Sequence, residues 1–212
     1  MNTIQTAYIN ALLADASYVE EIKRGEISAA DFTKRLTQSQ AEYLAANFTV
    51  LDSVETPHPL GSGFDATVWQ IKAGSELAGP NNENAGKIYV STRGTQGLED
   101  IADDVALAAT GVPISQIVDM CNWWLRISTA SGDQAMQIRY QKPGEIDPVT
   151  GALTQSYGYK LATPVVGEGV ALASSSLAGV NGHSLGGYLA TVFTRLFGAN
   201  AQSVSTFNSA GC

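Results

Sequence analysis

Gly182-His183-Ser184-Leu185-Gly186 is the stretch of this chain whose residue types and spacing could do chemistry. A run of small and apolar residues, Leu177 to Asn181, precedes it and reads as a strand. Leu189, Val192, Phe193, Leu196 and Phe197 follow it on one face of a helix. A Gly-x-Ser-x-Gly turn between strand and helix is so tight that the serine backbone is strained, and glycines on both sides remove the side chains that would collide. The turn lifts the Ser184 hydroxyl above the sheet edge, at the N-terminus of the following helix. Unpaired N–H groups and the positive end of the helix dipole there suit a developing oxyanion. The chemistry implied is nucleophilic attack on a carbonyl carbon. Glycine and serine are common, so the pattern alone is weak. The correct flanks on both sides, and Gly187 for close helix-to-sheet packing, set it apart from a Gly/Ser loop without chemistry.

A nucleophilic serine needs a base to take its proton and an acid to orient that base. In this strand–turn–helix arrangement both follow the nucleophile in chain order. The 28 residues after Ser184 contain no Asp, Glu or His. The triad is therefore incomplete here, and Ser203 to Phe207 reads as a hydrophobic strand at a sheet edge. The expectation is that a C-terminal portion carrying the acid and the histidine is missing. Two histidines are present. His183 precedes the nucleophile, so its ring should point away from the Ser184 hydroxyl and pack under the sheet. His58, in the stiff Pro57-His58-Pro59 loop, reads as a surface residue. A catalytically dead module that binds without turnover, and an enzyme recruiting His58 as base, are the rival readings.

Val180-Asn181-Gly182-His183-Ser184-Leu185-Gly186-Gly187 resembles the nucleophile motif of the class 3 lipases, a branch of the α/β-hydrolase fold. Ile88-Tyr89-Val90-Ser91-Thr92-Arg93-Gly94-Thr95, followed by Leu98 and Ile101-Ala102-Asp103-Asp104, is similar to a second segment of that family. The likeness extends over residues 49–111 and 163–211, and is nearest to bacterial secreted lipases and phospholipases. It implies an acyl-enzyme at Ser184 and hydrolysis of a lipid ester. It also implies an oxyanion hole built by the backbone N–H of Thr95, with its hydroxyl, and the N–H of Leu185. Asp104, or Asp103 one residue earlier, would orient the oxyanion-hole hydroxyl; solvation of a helix end explains those aspartates equally well. Residues 96–110, with an apolar stretch from Val105 to Ala109 between Gly97 and Gly111, would form a lid, and an ordinary buried helix fits them too. Arg93 would anchor the loop through backbone carbonyls.

These residues need a frame. A first helix is expected from Ile4 to Glu21. A second, capped by Ser28-Ala29-Ala30-Asp31, carries Phe32, Leu36, Tyr43 and Leu44. Thr49–Val54 reads as a strand, and Ala66–Lys72 with Lys87–Thr92 as an antiparallel pair. A helix starts at Pro113, in which Trp123 and Trp124 read as core more than as an acyl site. Gln137–Lys142 and Ser156–Ala162 flank a Pro/Gly-rich stretch as a hairpin, and Val166–Ser174 reads as a helix. The expected architecture is α/β: one hydrolase-like domain over 1–212, a mainly parallel sheet flanked by helices, with Leu177–Asn181 central and two N-terminal helices packed on it.

Composition narrows the rest. Hydrophobic residues make up 44% of 212, enough for one sizeable core. Twenty acidic against twelve basic residues give a net charge of −8, which disfavours nucleic acid as a partner. Cys121 and Cys212 form neither a disulfide framework nor a metal cluster, so two free thiols, no metal and no cofactor are expected. No apolar run is long enough to span a bilayer. The N-terminus lacks a basic region and cleavage site, so secretion without an N-terminal signal peptide is expected, with a cytoplasmic location as the alternative. The partners expected are a lipid or ester substrate and a lipid–water interface.

Overall fold

Asn2 opens helix α1 (Thr3–Ala16) by accepting the Gln5 N–H at 2.8 Å, and Ser17 closes it with its hydroxyl on the Ala14 carbonyl. The helix stops five residues short of Glu21, whose φ of 56° is not helical. The second expected helix is two: α2 (Ala29–Phe32) under the Ser28–Asp31 capping box, and α3 (Gln38–Asn47) under a second box formed by Thr37 and Gln40. The Thr37 cap is what interrupts it.

In this computed structural model residues 2–56, 62–94, 113–171 and 176–209 are described. The chain forms two compact units, Met1–Gln96 with Ser174–Cys212, and Gly97–Ala173. The first holds a six-stranded sheet. Its strands are β1 (Gly25–Glu26), β2 (Phe48–Glu55), β3 (Asp65–Ile71), β4 (Ile88–Arg93), β7 (Leu177–His183) and β8 (Val204–Phe207), lying side by side in that order. The second holds helix α4 (Ile114–Ser128) and the antiparallel hairpin of β5 (Gln134–Gln141) and β6 (Gly158–Val166).

The sheet is mixed, where a mainly parallel one was expected. Strands β1 to β4 pair antiparallel, each with the next strand along the chain. The pairs β4–β7 and β7–β8 are parallel, the second through the crossover helix α5 (Leu185–Phe197). Four strands (β2, β4, β7 and β8) nevertheless run the same way. Leu177–Asn181 is buried, as expected, and lies inside the sheet between β4 and the edge strand β8.

Helices α1 and α5 both pack on β4, β7 and β8, from opposite faces. A Cβ on Gly179 would strike Asn10 of α1, and one on Gly182 would strike Gly186 of α5; residues three apart on a strand face opposite ways. Ile9, Leu12 and Leu13 of α1 join Phe48, Val50, Trp69 and Tyr89 in one core cluster. Val68, Val90 and Val180, adjacent in register on the other face, are fully buried, as are Leu189 and Phe193 of α5.

In the second unit α4 packs on β5, with Trp123 and Trp124 buried. The helix expected from Val166 is absent among the described residues 166–171. Val166 ends β6, and the Gly167, Gly169 and Ala171 amides bond to the Asp133, Thr129 and Ile127 carbonyls instead. Two glycines in three residues oppose the helix that the apolar spacing suggested. No helix among the described residues is long and apolar enough to cross a membrane.

Candidate active site

Ser184 stands between the last residue of β7 and the first of α5, with φ 57° and ψ −130°. A side chain at such angles is strained by about 1–3 kcal/mol and persists only where its surroundings over-determine it. Three contacts do so here. A Cβ on Gly182 would sit 2.2 Å from the Gly186 carbonyl oxygen. One on Gly186 would sit 2.2 Å from the Thr92 oxygen and 2.8 Å from the Gly94 nitrogen. The Ser184 N–H itself donates to the Phe207 carbonyl of β8 at 3.0 Å. The sequence thus folds into an elbow because only glycine fits on either side of the serine.

The serine occupies the N-cap position of α5, yet its side chain makes no capping hydrogen bond. A serine there ordinarily satisfies an N–H of the first turn. The Leu185 N–H opens the helix, in the turn where amides lack intrahelical partners. Leu185 itself is buried.

The end of β4 lies against the elbow. Thr92 Oγ1 donates to the Gly186 carbonyl at 2.6 Å and approaches the Asn181 carbonyl at 3.3 Å, which holds strand and helix start together. An ideal Cβ on Gly94 would be 3.0 Å from the Ser184 Cβ. The two segments singled out in the sequence are thereby adjacent at Gly94 and Ser184. Thr95, Asp103, Asp104, His58, Cys212 and the proposed lid at 96–110 lie outside the described residues.

Among the described residues the partners of Arg93 are carboxylates, and the loop that it was expected to anchor through backbone carbonyls lies outside them. Arg93 pairs with Asp65 at 2.5 Å and lies 3.8 Å from Glu55. Asp65 faces Arg93 directly in the β3–β4 register. Burial pushes the Asp65 carboxyl above the usual range, and the Arg93 guanidinium works against that shift.

His183 is half-buried and engaged by Tyr18. Its Nδ1 is 3.1 Å from the Tyr18 hydroxyl, and the two rings meet edge to face at 5.8 Å. The same hydroxyl accepts the Gly94 N–H at 3.1 Å and reaches the His183 carbonyl at 3.3 Å. Arg35 lies over the Tyr18 ring, 4.9 Å from its centroid. Burial raises the Tyr18 pKa above its ordinary value, against the lowering effects of the Gly94 N–H and the two arginines.

A chain of buried polar groups runs beneath. Trp69 Nε1 donates to Ser91 Oγ at 3.0 Å, Ser91 Oγ to Asn181 Oδ1 at 2.7 Å, and Asn181 Nδ2 to Asn10 Oδ1 at 3.1 Å. Sequence reading missed Tyr18 and Asn10. Polar Ser91 and Asn181 inside apolar strands were the signal available for the rest. No cluster of three or more His, Cys, Asp or Glu able to hold a metal occurs among the described residues. A cavity of about 370 Å³ lined by Val19, Ile22, Ile27, Phe32, Asp31 and Lys34 includes no residue of the elbow. No protein-family model, curated protein or solved structure matches the chain. The likeness to class 3 lipases therefore stands on the two segments alone.

Proposed function

We propose that the chain carries the nucleophile and oxyanion half of a serine carboxylic-ester hydrolase acting on lipids, on an α/β-hydrolase-like frame. The observation that carries this reading is the Ser184 backbone, φ 57° and ψ −130°, with a hydroxyl that makes no capping bond. The Ser184 Oγ attacks the ester carbonyl carbon while its proton passes to a base. The oxyanion takes the N–H groups of Leu185 and Thr95, the alcohol leaves with a proton, and water then hydrolyses the acyl-enzyme.

The base is the open part. His183, the one histidine among the described residues, is bonded to Tyr18, and residues 185–212 hold no Asp, Glu or His. The engagement of His183 by Tyr18 favours the second reading, a hydrolase-like module that binds an ester without turning it over.

Imidazole added as an external base separates the two. Under the hydrolase reading, a fluorophosphonate probe modifies Ser184 of the 212-residue chain faster with imidazole than without, and Ser184→Ala takes up none. Turnover of a short-chain nitrophenyl ester without imidazole stays low, since loss of a triad member leaves about 10³–10⁴ over water in a well-studied protease. No adduct at Ser184 under either condition refutes the hydrolase reading and leaves the binding module. Robust unassisted turnover that vanishes in Ser184→Ala means a base is present, and His58 is then the first residue to replace.

A further inference from the structure

One hydroxyl touches both halves of the proposed site. Tyr18 lies just beyond α1, and its side chain reaches the end of β4 and the end of β7 together. Gly94 and His183, the two residues it holds, immediately precede Thr95 and Ser184. A phenol has one proton and two lone pairs. Those are used fully if the oxygen accepts the Gly94 N–H and a His183 Nδ1–H while donating to the His183 carbonyl. They serve equally if the proton goes to an unprotonated Nδ1. The Gly94 bond survives both arrangements.

Gly94 allows the close approach. A Cβ there would stand 2.8 Å from the His183 carbonyl oxygen and 3.0 Å from both the Ser184 Cβ and the Tyr18 hydroxyl. Backbone thus faces backbone across this gap, and the Tyr18 hydroxyl bonds to both sides of it. Thr92 ties the other side of the same strand end to Gly186. The strand end is held from both faces of the sheet, by Thr92 on the α5 face and by Tyr18 on the α1 face.

We propose that Tyr18 is a positioning residue, whose hydroxyl sets the spacing between Ser184 and the β4 strand end at Gly94. The proposal rests on the reading of Ser184 as the nucleophile. Oxyanion donors act only within about 2.7–3.1 Å of the developing charge. A slip of about 1 Å in such a site can cost on the order of 10² in rate. A phenol is protonated at neutral pH, and burial raises the Tyr18 pKa further, so the donor is present where the chemistry would run.

The test is Tyr18→Phe, which keeps the ring under Arg35 and beside His183 and removes only the hydroxyl. Three readouts are taken on the 212-residue chain beside wild type: hydrogen exchange of the Gly94 amide, the ¹⁵N shifts of the His183 imidazole, and imidazole-assisted phosphonylation of Ser184. The expected result is at least tenfold faster exchange, a shifted Nδ1 resonance, and phosphonylation slowed about tenfold or more, with the melting temperature little changed. Wild-type and variant chains that label Ser184 equally fast overturn the proposal, whatever the exchange shows. So does slowed labelling with the Gly94 exchange and Nδ1 resonance unchanged, because the effect then does not run through these bonds. A wild-type chain that never labels refutes the hydrolase reading first, and the positioning role falls with it. The two failures are therefore distinct.

Discussion

Replacing Ser184 by glycine and, separately, by alanine isolates the backbone strain from the chemistry. Both variants lose the hydroxyl, so its contribution cancels in the comparison. Alanine keeps the Cβ that makes φ 57° and ψ −130° unfavourable; glycine does not. Relief of that strain is worth about 1–3 kcal/mol. Against it stands the greater freedom of glycine in the unfolded chain, about 0.4–1 kcal/mol. The net expectation is that Ser184→Gly is more stable than Ser184→Ala by about 1–2 kcal/mol. For a chain of this length that is roughly 2–8 °C in Tm. Urea titration and thermal melting of the two variants side by side measure the difference directly. A glycine variant that melts at or below the alanine variant would mean that the serine is not strained. The fold would then not be holding an unfavourable backbone to aim a hydroxyl.

The glycine contacts of the elbow differ in what they can yield. Gly186→Ala places a Cβ 2.2 Å from the Thr92 oxygen and 2.7 Å from the Arg93 carbonyl carbon, and backbone cannot rotate aside. We expect a loss of about 1–3 kcal/mol in urea titrations, and imidazole-assisted labelling of Ser184 slowed on the order of 10². Gly187→Ala meets the Ser209 side chain at 2.8 Å, which can move, and should be milder on both measures. Cys121 is buried in α4, and burial pushes its thiol up to about 11. At pH 8 a thiol reagent should leave it unmodified in the native chain and modify it in urea, as read by peptide mapping. Modification at the rate of a free thiol would contradict the packing of α4.

The elbow was legible because its signal is local. Strand, two spaced glycines and helix lie within a few residues, and both glycines meet backbone where the motif requires it. The Thr37-to-Gln40 capping box was also local and would have split the second helix correctly. Residues 166–171 misled because small apolar residues can imitate a helix face, whereas Gly167 and Gly169 serve a loop that bonds back to 127, 129 and 133. Strand direction was only half legible. Apolar β4 and β7 look alike whether their neighbours run with or against them, and direction follows from the connections.

What supports the site is written across strands instead of along them. Arg93 faces Asp65, and Asp65 faces Glu55, in consecutive registers, so one row across β4, β3 and β2 holds the guanidinium and its two carboxylates. Ser91 faces Asn181 in the same way, and their side chains bond at 2.7 Å. Neither pairing can be read until register is known, since a slip of one residue turns each side chain to the opposite face. Tyr18 lies further from view: its contact with His183 spans 165 residues and belongs to no strand row. The parallel pair β4 and β7 makes that contact reachable, because parallel strands end on the same side of the sheet. Gly94 and Ser184 emerge together at that carboxyl end, the side on which open α/β sheets bind their ligands. A residue just past α1, on one face of both strands, can then touch the two ends at once. An antiparallel pairing of β4 with β7 would have placed those ends on opposite sides of the sheet and left no position from which one hydroxyl could hold both.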